Sequence, residues 1–450
     1  MPVMTRSRAL IAALAVVAAL AIGGTQAGAP EEGLSNDPYW NSLVRVLNLL
    51  RTQYLKKLSL EEIHKVIEGG IAGMLAALDE PYNGYSPPRY TQIQNQDVHG
   101  EFYGIGVVIQ AANPDNTGAE VITVFRGGPA YRAGIKPGDL IVEVDGEDVS
   151  RLPLYDIVSR IRGPKGTVVR IGVRRNGSRA ILRFEIPREK IEIVSVSKTM
   201  LPGKVGYVAI ETFMNIKVTD QLKQAVSELK KQGAEKLVLD LRDNSGGLLD
   251  QGCRVADAFL DHGTIVYTRS RGVTRPHCDA DRETIWDGPM VVLVNHGSAS
   301  ASEIIAGALK DLRQVKVIGE KTFGKGVGQT SFQLPNGGEV VIVTFEWLTP
   351  NRRSIHREGI TPDIPVKDTR FPDLLAFEGI GAPAGGTVEL VVKDKDGRVV
   401  KRVEAKVDEE GRYHYSDQAP PVLRYSEVQG EALVDLEKDA ILRRALEELR

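Results

Sequence analysis

The hydrophobic pattern changes character several times along the chain. From about Pro38 to Gln96 it has a helical period: Leu43, Val46, Leu47 and Leu50 share one face, and Ile63, Val66, Ile67, Ile71, Leu75 and Leu78 share another. Two amphipathic helices are predicted, and Asp79-Glu80-Pro81-Tyr82-Asn83-Gly84 breaks the pattern. From about Gly100 to Pro187 short β segments punctuated by glycine take over. These are Val107 to Ile109, Val121 to Val124, Asp139 to Val144 before the turn Asp145-Gly146, and Val168 to Val173 before the turn Asn176-Gly177. Leu154 to Ile161 reads as a helix among them.

After Pro202 strands and helices alternate. Val205 to Ile210 is a strand, Val218 to Lys231 carries Leu222, Ala225, Val226 and Leu229 at helical spacing, and Gly233 supplies the stop. Leu237 to Leu241 and Met290 to Val294 are buried-type strands, a helix bearing Ile304, Ile305, Ala308 and Leu309 follows, and Val315 to Ile318 is the next strand. This order predicts an α/β core with a partly parallel sheet, in which ligands sit beyond the carboxyl ends of the strands. Gly246 and Gly247, at the end of one such strand, lie where a substrate would be. Gly386 to Tyr415 is strand-like and Leu436 to Leu449 helical, with no evident chemistry.

At 450 residues the chain is long enough for two or three domains. A formal charge of -2 gives no field that would favour nucleic acid or an anionic membrane. Arg6 and Arg8, the apolar run Ala9 to Ile22 and the small-residue site Thr25-Gln26-Ala27 have the form of a secretory signal peptide spanning residues 1–27. Export to a bacterial periplasm or cell envelope is expected, the rival being an uncleaved anchor, for which the run is short. Cys253 and Cys278 are the two cysteines. In an oxidising compartment they could be bridged or remain buried thiols, and the sequence leaves both open. Two cysteines cannot build a structural zinc site, and neither His262 nor His277 has metal-motif spacing. Asp394-Lys395-Asp396-Gly397 is a hairpin turn rather than a calcium loop, because the downstream ligands are missing.

The segment Asn295-His296-Gly297-Ser298-Ala299-Ser300-Ala301-Ser302-Glu303 joins a strand to a helix. A hydroxyl there is exposed at the sheet edge, and the helix N-terminus favours developing negative charge. Thr322-Phe323-Gly324-Lys325-Gly326 is the loop after the following strand, so serine and lysine meet on adjacent loops. A Ser-His hydrolase would need a histidine base; His296 precedes Ser300 in the same turn with nothing to order it, and reads as a loop histidine.

Gly104-Ile105-Gly106, the run Gly127 to Val149 and Arg162-Gly163-Pro164-Lys165-Gly166 resemble a PDZ domain. Val294 to Asp311 together with Val317 to Gln329 resemble the active site of the carboxyl-terminal processing, or tail-specific, proteases. The resemblance implies a multidomain α+β protein: an N-terminal helical region at 34–97, an inserted PDZ domain at 98–188, an α/β serine peptidase core of the ClpP/crotonase-like kind at 189–370, and a strand and helix segment at 371–450. It implies Ser300 as nucleophile, Lys325 as general base and Gln329 as its orienting neutral amide. A lysine acts as base only when neutral, so burial must lower its pKa by about three units, roughly 4 kcal/mol. Val315, Val317, Ile318 and Phe323 supply apolar surroundings. The amides of Ala301 and of Gly246 or Gly247 are the oxyanion candidates.

By the same resemblance Tyr103, Gly104, Ile105 and Gly106 would receive the nonpolar C-terminal tail of a protein or peptide substrate, and Arg162 would couple tail binding to the catalytic loops. No cofactor and no metal are expected. A homo-oligomer through the N-terminal helices and an adaptor protein are the expected partners, with nucleic acid excluded. The alternative is a non-catalytic PDZ scaffold that retains a protease fold. The chain departs from the family where Leu78-Asp79-Glu80-Pro81-Tyr82 replaces the usual Leu-Asp-Pro-His-Ser, and where Gly326-Val327-Gly328 replaces Gly-Ser-Val.

Overall fold

The computed structural model describes residues 37–113, 117–175, 180–370, 376–393, 399–408, 411–416 and 428–450. The expected signal peptide and the turns at 176–177 and 394–397 lie outside them. The chain enters through α1 (Pro38–Gln53) and α2 (Leu60–Ala76). Asp37 caps α1, and Ser59 and Glu62 form a reciprocal capping box on α2. Both predicted helices are present, yet neither has a buried residue, so their apolar faces stand open. A short strand, β1 (Gly84–Ser86), and a helix without a sequence forecast of its own, α3 (Pro88–Val98), complete this region.

A hinge strand β2 (Glu101–Gly104) leads into the PDZ-like module. The module comprises β3 (Val107–Gln110), β4 (Ala119–Val124), α4 (Pro129–Ala133), β5 (Leu140–Val144), β6 (Glu147–Asp148), α5 (Leu154–Ile161), β7 (Val168–Arg174) and β8 (Ile181–Pro187). The strands form one antiparallel sheet in the order β3-β4-β5-β7-β8, with β6 on β5. Ile105, Val121, Ile141, Ile157, Ile171 and Ile186 fill its own core. The return strand β9 (Glu189–Glu192) pairs antiparallel with β2, so the module hangs on a two-stranded ribbon.

The remaining core is layered. Its main sheet orders β10 (Val196–Leu201), β11 (Val205–Ile210), β12 (Lys236–Asp240), β15 (Met290–Val294), β16 (Lys316–Gly319) and β19 (Ile364–Pro365). It is parallel from β11 onward, as the alternating pattern predicted. Helices α6 (Val218–Lys231), α7 (Leu249–Asp257) and α8 (Ala301–Arg313) cover one face. The C-terminal helix α9 (Ala440–Glu448) covers the other, with Ile441, Leu442 and Ala445 against Val238, Val291 and Ile318. A second sheet is built on β18 (Glu339–Leu348), which pairs with β1, with β13 (Thr264–Ser270) and with β17 (Val327–Gln333); β14 (Val273–Asp279) extends it beyond β13. A disulfide joins Cys253 of α7 to Cys278 of β14, tying a helix that covers the main sheet to the second sheet. Antiparallel pairs β20 (Ala376–Ile380) with β23 (Arg412–Ser416), and β21 (Thr387–Lys393) with β22 (Val399–Lys406), form the strand-like tail.

Candidate active site

Three loops converge at the carboxyl ends of β12, β15 and β16. Ser300 sits at the junction of β15 and α8 with φ 55° and ψ -115°, a backbone conformation costly for a residue with a Cβ. Such a strained strand-to-helix turn holds a hydroxyl out from the sheet edge. The turn is held from below by Glu303, whose Oε2 accepts the Ser300 N–H at 2.8 Å.

Glu303 does more than cap its helix. Its fully buried carboxylate also accepts the Lys325 N–H at 2.8 Å, the Gly324 N–H at 2.7 Å and the Thr322 hydroxyl at 2.5 Å. One side chain thus fastens the serine turn to the lysine loop. Burial raises its pKa, and the hydrogen bonds from Thr322, Gly324, Ser300 and Lys325 pull it back. The sequence carried a signal for this role: Ser300-Ala301-Ser302-Glu303 is a Ser-x-x-Glu capping pattern.

Lys325 is 5% exposed. Its carbonyl accepts from Trp347 Nε1 at 2.9 Å, and its loop is closed on the other side by Arg357 N–H to Gly324 O at 2.8 Å. Burial lowers the Lys325 pKa to about 8, working against the nearby carboxylates of Glu303 and Glu80, which raise it. The amine lies 4.9 Å from the centre of the Tyr82 ring. Among the described residues no hydrogen bond joins it to Ser300 Oγ, and catalytic hydrogen bonds often tighten only once substrate is bound.

Gln329, expected to orient the amine, instead donates from Nε2 to the Tyr82 carbonyl at a long 3.5 Å. The turn at 80–83, which no pattern placed here, occupies the space between them. His296 is exposed and faces Glu320 Oε2 at 3.6 Å rather than Ser300.

Gly246 abuts Ser300: a Cβ there would lie 2.7 Å from Ser300 Cβ and 2.8 Å from Ala299 O. Its N–H is engaged by Asn244 Oδ1 at 2.9 Å, which removes it from the two glycine candidates for an oxyanion donor. The amides of Gly247 and Ala301 have no protein acceptor among the described residues. The glycine loop is anchored by Arg242, whose guanidinium is buried between Asp240 and Asp439, the N-cap of α9. The C-terminal helix, in which the sequence showed no chemistry, therefore supports the loop that carries Gly246 and Gly247.

The PDZ-like module presents an apolar cavity of about 410 Å³ beside β3 and α5, lined by Phe102, Ile105, Gly106, Val107, Val158 and Ile161 among others. Ile105 and Gly106 are brought into it. Tyr103 and Gly104 are paired into the β2–β9 ribbon, opposite Lys190 and Glu189. Arg162 caps the end of α5, reaches Asp97 Oδ1 at 2.8 Å and stacks 3.9 Å from the Phe102 ring centre. It joins the module to α3. Among the described residues no cluster of His, Cys, Asp and Glu could hold a metal ion.

Residues 204–366 match the model of peptidase family S41, and residues 92–174 match the PDZ domain. A probable CtpA-like serine protease of Staphylococcus aureus (strain COL) is 36% identical over 395 residues, covering 87% of this chain and 76% of that protein. Its counterpart in Staphylococcus saprophyticus is 35% identical over 361 residues, covering 79% of this chain and 70% of that protein. Among solved structures, a photosystem II D1 C-terminal processing protease is 33% identical, covers 72% of this chain and 86% of its own, and has a TM-score of 0.44. A match of this extent to the staphylococcal proteins, joined to the two domain matches, means that the chain belongs to peptidase family S41 as a serine-type, carboxyl-terminal processing endopeptidase.

Proposed function

We propose that this protease cleaves near the nonpolar C-terminal tails of exported proteins, with Ser300 as nucleophile and Lys325 as general base. The observation that carries the reading is the buried Lys325 amine, with its pKa lowered to about 8, on a loop that Glu303 fastens to the Ser300 turn. Neutral Lys325 takes the Ser300 proton as Oγ attacks the scissile carbonyl. The carbonyl oxygen becomes an oxyanion that accepts from the N–H groups of Gly247 and Ala301, with the α8 N-terminus behind them. The Lys325 ammonium then protonates the leaving amine, and water hydrolyses the acyl-enzyme. Gln329 acts through the Tyr82 carbonyl.

The apolar cavity beside β3 and α5 suits an extended, nonpolar tail added as a strand, with Ile105 and Gly106 at its end. The open faces of α1 and α2, with Tyr39 87% and Leu60 68% exposed, suit a second copy of the chain. Residues 1–27 would direct export.

The test is cleavage of an unstructured protein with an apolar C-terminus by Ser300→Ala, Lys325→Ala and His296→Ala. The first two lose activity by at least a thousandfold and the third keeps it. Activity surviving Lys325→Ala but not His296→Ala would instead establish a Ser-His mechanism. Replacing the substrate's apolar tail with aspartates tests capture, and should raise KM at least tenfold.

A further inference from the structure

The base is covered by a residue from outside the peptidase core. Tyr82 belongs to the turn between α2 and β1, just ahead of the PDZ domain and far upstream of the lysine loop, yet its ring centre lies 4.9 Å from Lys325 Nζ and its carbonyl takes the Gln329 amide. The turn is fixed at both ends. The Tyr82 N–H donates to Glu80 Oε1 at 3.2 Å, Val343 N–H donates to Asn83 Oδ1 at 2.8 Å, and β1 continues as a strand on β18. Tyr82 is half-buried, and burial raises its own phenol pKa, with Glu80 and Glu303 adding to the rise and Arg357 opposing it.

We propose that Tyr82 is a positioning residue for the Lys325 base, its ring roofing the amine against water and its carbonyl holding Gln329. The inference rests on the reading of Lys325 as base. Two effects of the ring act in opposite directions. As a cover it withholds water and so favours neutral lysine before the reaction. As a π-face it supports the ammonium that forms once Lys325 has taken the Ser300 proton. The charged and titratable groups around the amine are Glu303 from α8, Glu80 and Tyr82 from the turn, with Arg357 and His356 on the segment packed against Gly324 and Gly326. The two carboxylates favour the ammonium, so the cover is what they must be balanced against.

The experiment measures the rate at which a fluorophosphonate probe labels Ser300 in the full chain between pH 6 and pH 10, with kcat and KM on an apolar-tailed protein alongside. Tyr82→Phe should label within about twofold of the parent with the same midpoint. Tyr82→Ala should label at least tenfold more slowly at pH 8, with its midpoint moved up toward the free-lysine value of about 10.4 and KM little changed. Tyr82→Leu keeps an apolar cover without the π-face, so its midpoint should fall by up to about one pH unit and kcat by about threefold or more.

A Tyr82→Ala midpoint at or below that of the parent, or a Tyr82→Leu midpoint above it, would overturn the inference. So would equal losses in Tyr82→Phe and Tyr82→Ala, which would assign the role to the hydroxyl. Lys325→Ala is the reference: labelling at the parental rate there would overturn the base assignment itself.

Discussion

Replacing Lys325 with methionine should make the protein more stable while abolishing its activity. The folded protein holds this lysine at about 8 instead of 10.5, because burial disfavours the ammonium more than Glu303 and Glu80 restore it. At ~1.4 kcal/mol per pH unit, keeping the lysine charged in that site costs about 3 kcal/mol. The Tyr82 face returns about 0.5–1 kcal/mol to the cation, which leaves about 2–3 kcal/mol. Methionine has similar length and no charge, so it should recover most of this. The sign follows from proton counts. Between about pH 8 and 10.5 the unfolded chain binds more protons at this position than the folded one, so parental stability rises with pH across that window. Below about pH 8 the penalty is present in full. Urea unfolding of both proteins at pH 7, 9 and 10.5 should show the variant ahead by about 2–3 kcal/mol at pH 7, with the gap closing by pH 10.5. A variant no more stable than the parent at pH 7, or a gap that does not change with pH, would refute the reasoning.

The same lysine should shape turnover: kcat/KM on an apolar-tailed substrate should rise about fivefold to tenfold between pH 7 and pH 9 and then level off, as a group near 8 loses its proton. Glu303→Gln should lower stability by about 3 kcal/mol in urea and kcat at least a hundredfold, because an amide cannot accept from Ser300, Gly324, Lys325 and Thr322 together. Reducing the Cys253–Cys278 bridge, or replacing both cysteines with alanine, should lower thermal stability by about 3 kcal/mol, as expected for the 25-residue separation it closes.

Legibility from sequence divides along contact distance. The meeting of the serine loop and the Lys325 loop could be read because each follows a strand of strong apolar pattern and parallel strand order brings the loops together, while the choice of Ser300 among the three serines came from the resemblance to the processing proteases. Leu154 to Ile161 and Val218 to Lys231 could be read for the same local reason, and both are helices with those bounds. Tyr82 could not, since its approach to Lys325 depends on β1 joining β18 across hundreds of residues. Asp439 was hidden likewise, because a helix N-cap gives no hint that it also pairs with a buried arginine at 242. Gly246 and Gly247 were legible as a pair, but the difference between them depends on the Asn244 side chain turning back onto one amide. The helical period of α1 and α2 was visible, whereas periodicity alone cannot say whether a neighbour covers the apolar face.

Ser300 occupies a position where the backbone would suit glycine, and that has a bearing on how such a protease drifts. A change to glycine would release local strain of about 1–3 kcal/mol while deleting the hydroxyl proposed as nucleophile. Loss of chemistry at this residue is therefore favoured by folding, and selection for cleavage has to oppose it continuously. A lineage freed from that selection would settle as an inert protein with its PDZ domain unchanged. Alanine is the better form without the hydroxyl, because its Cβ keeps the turn closer to its parental shape than glycine would.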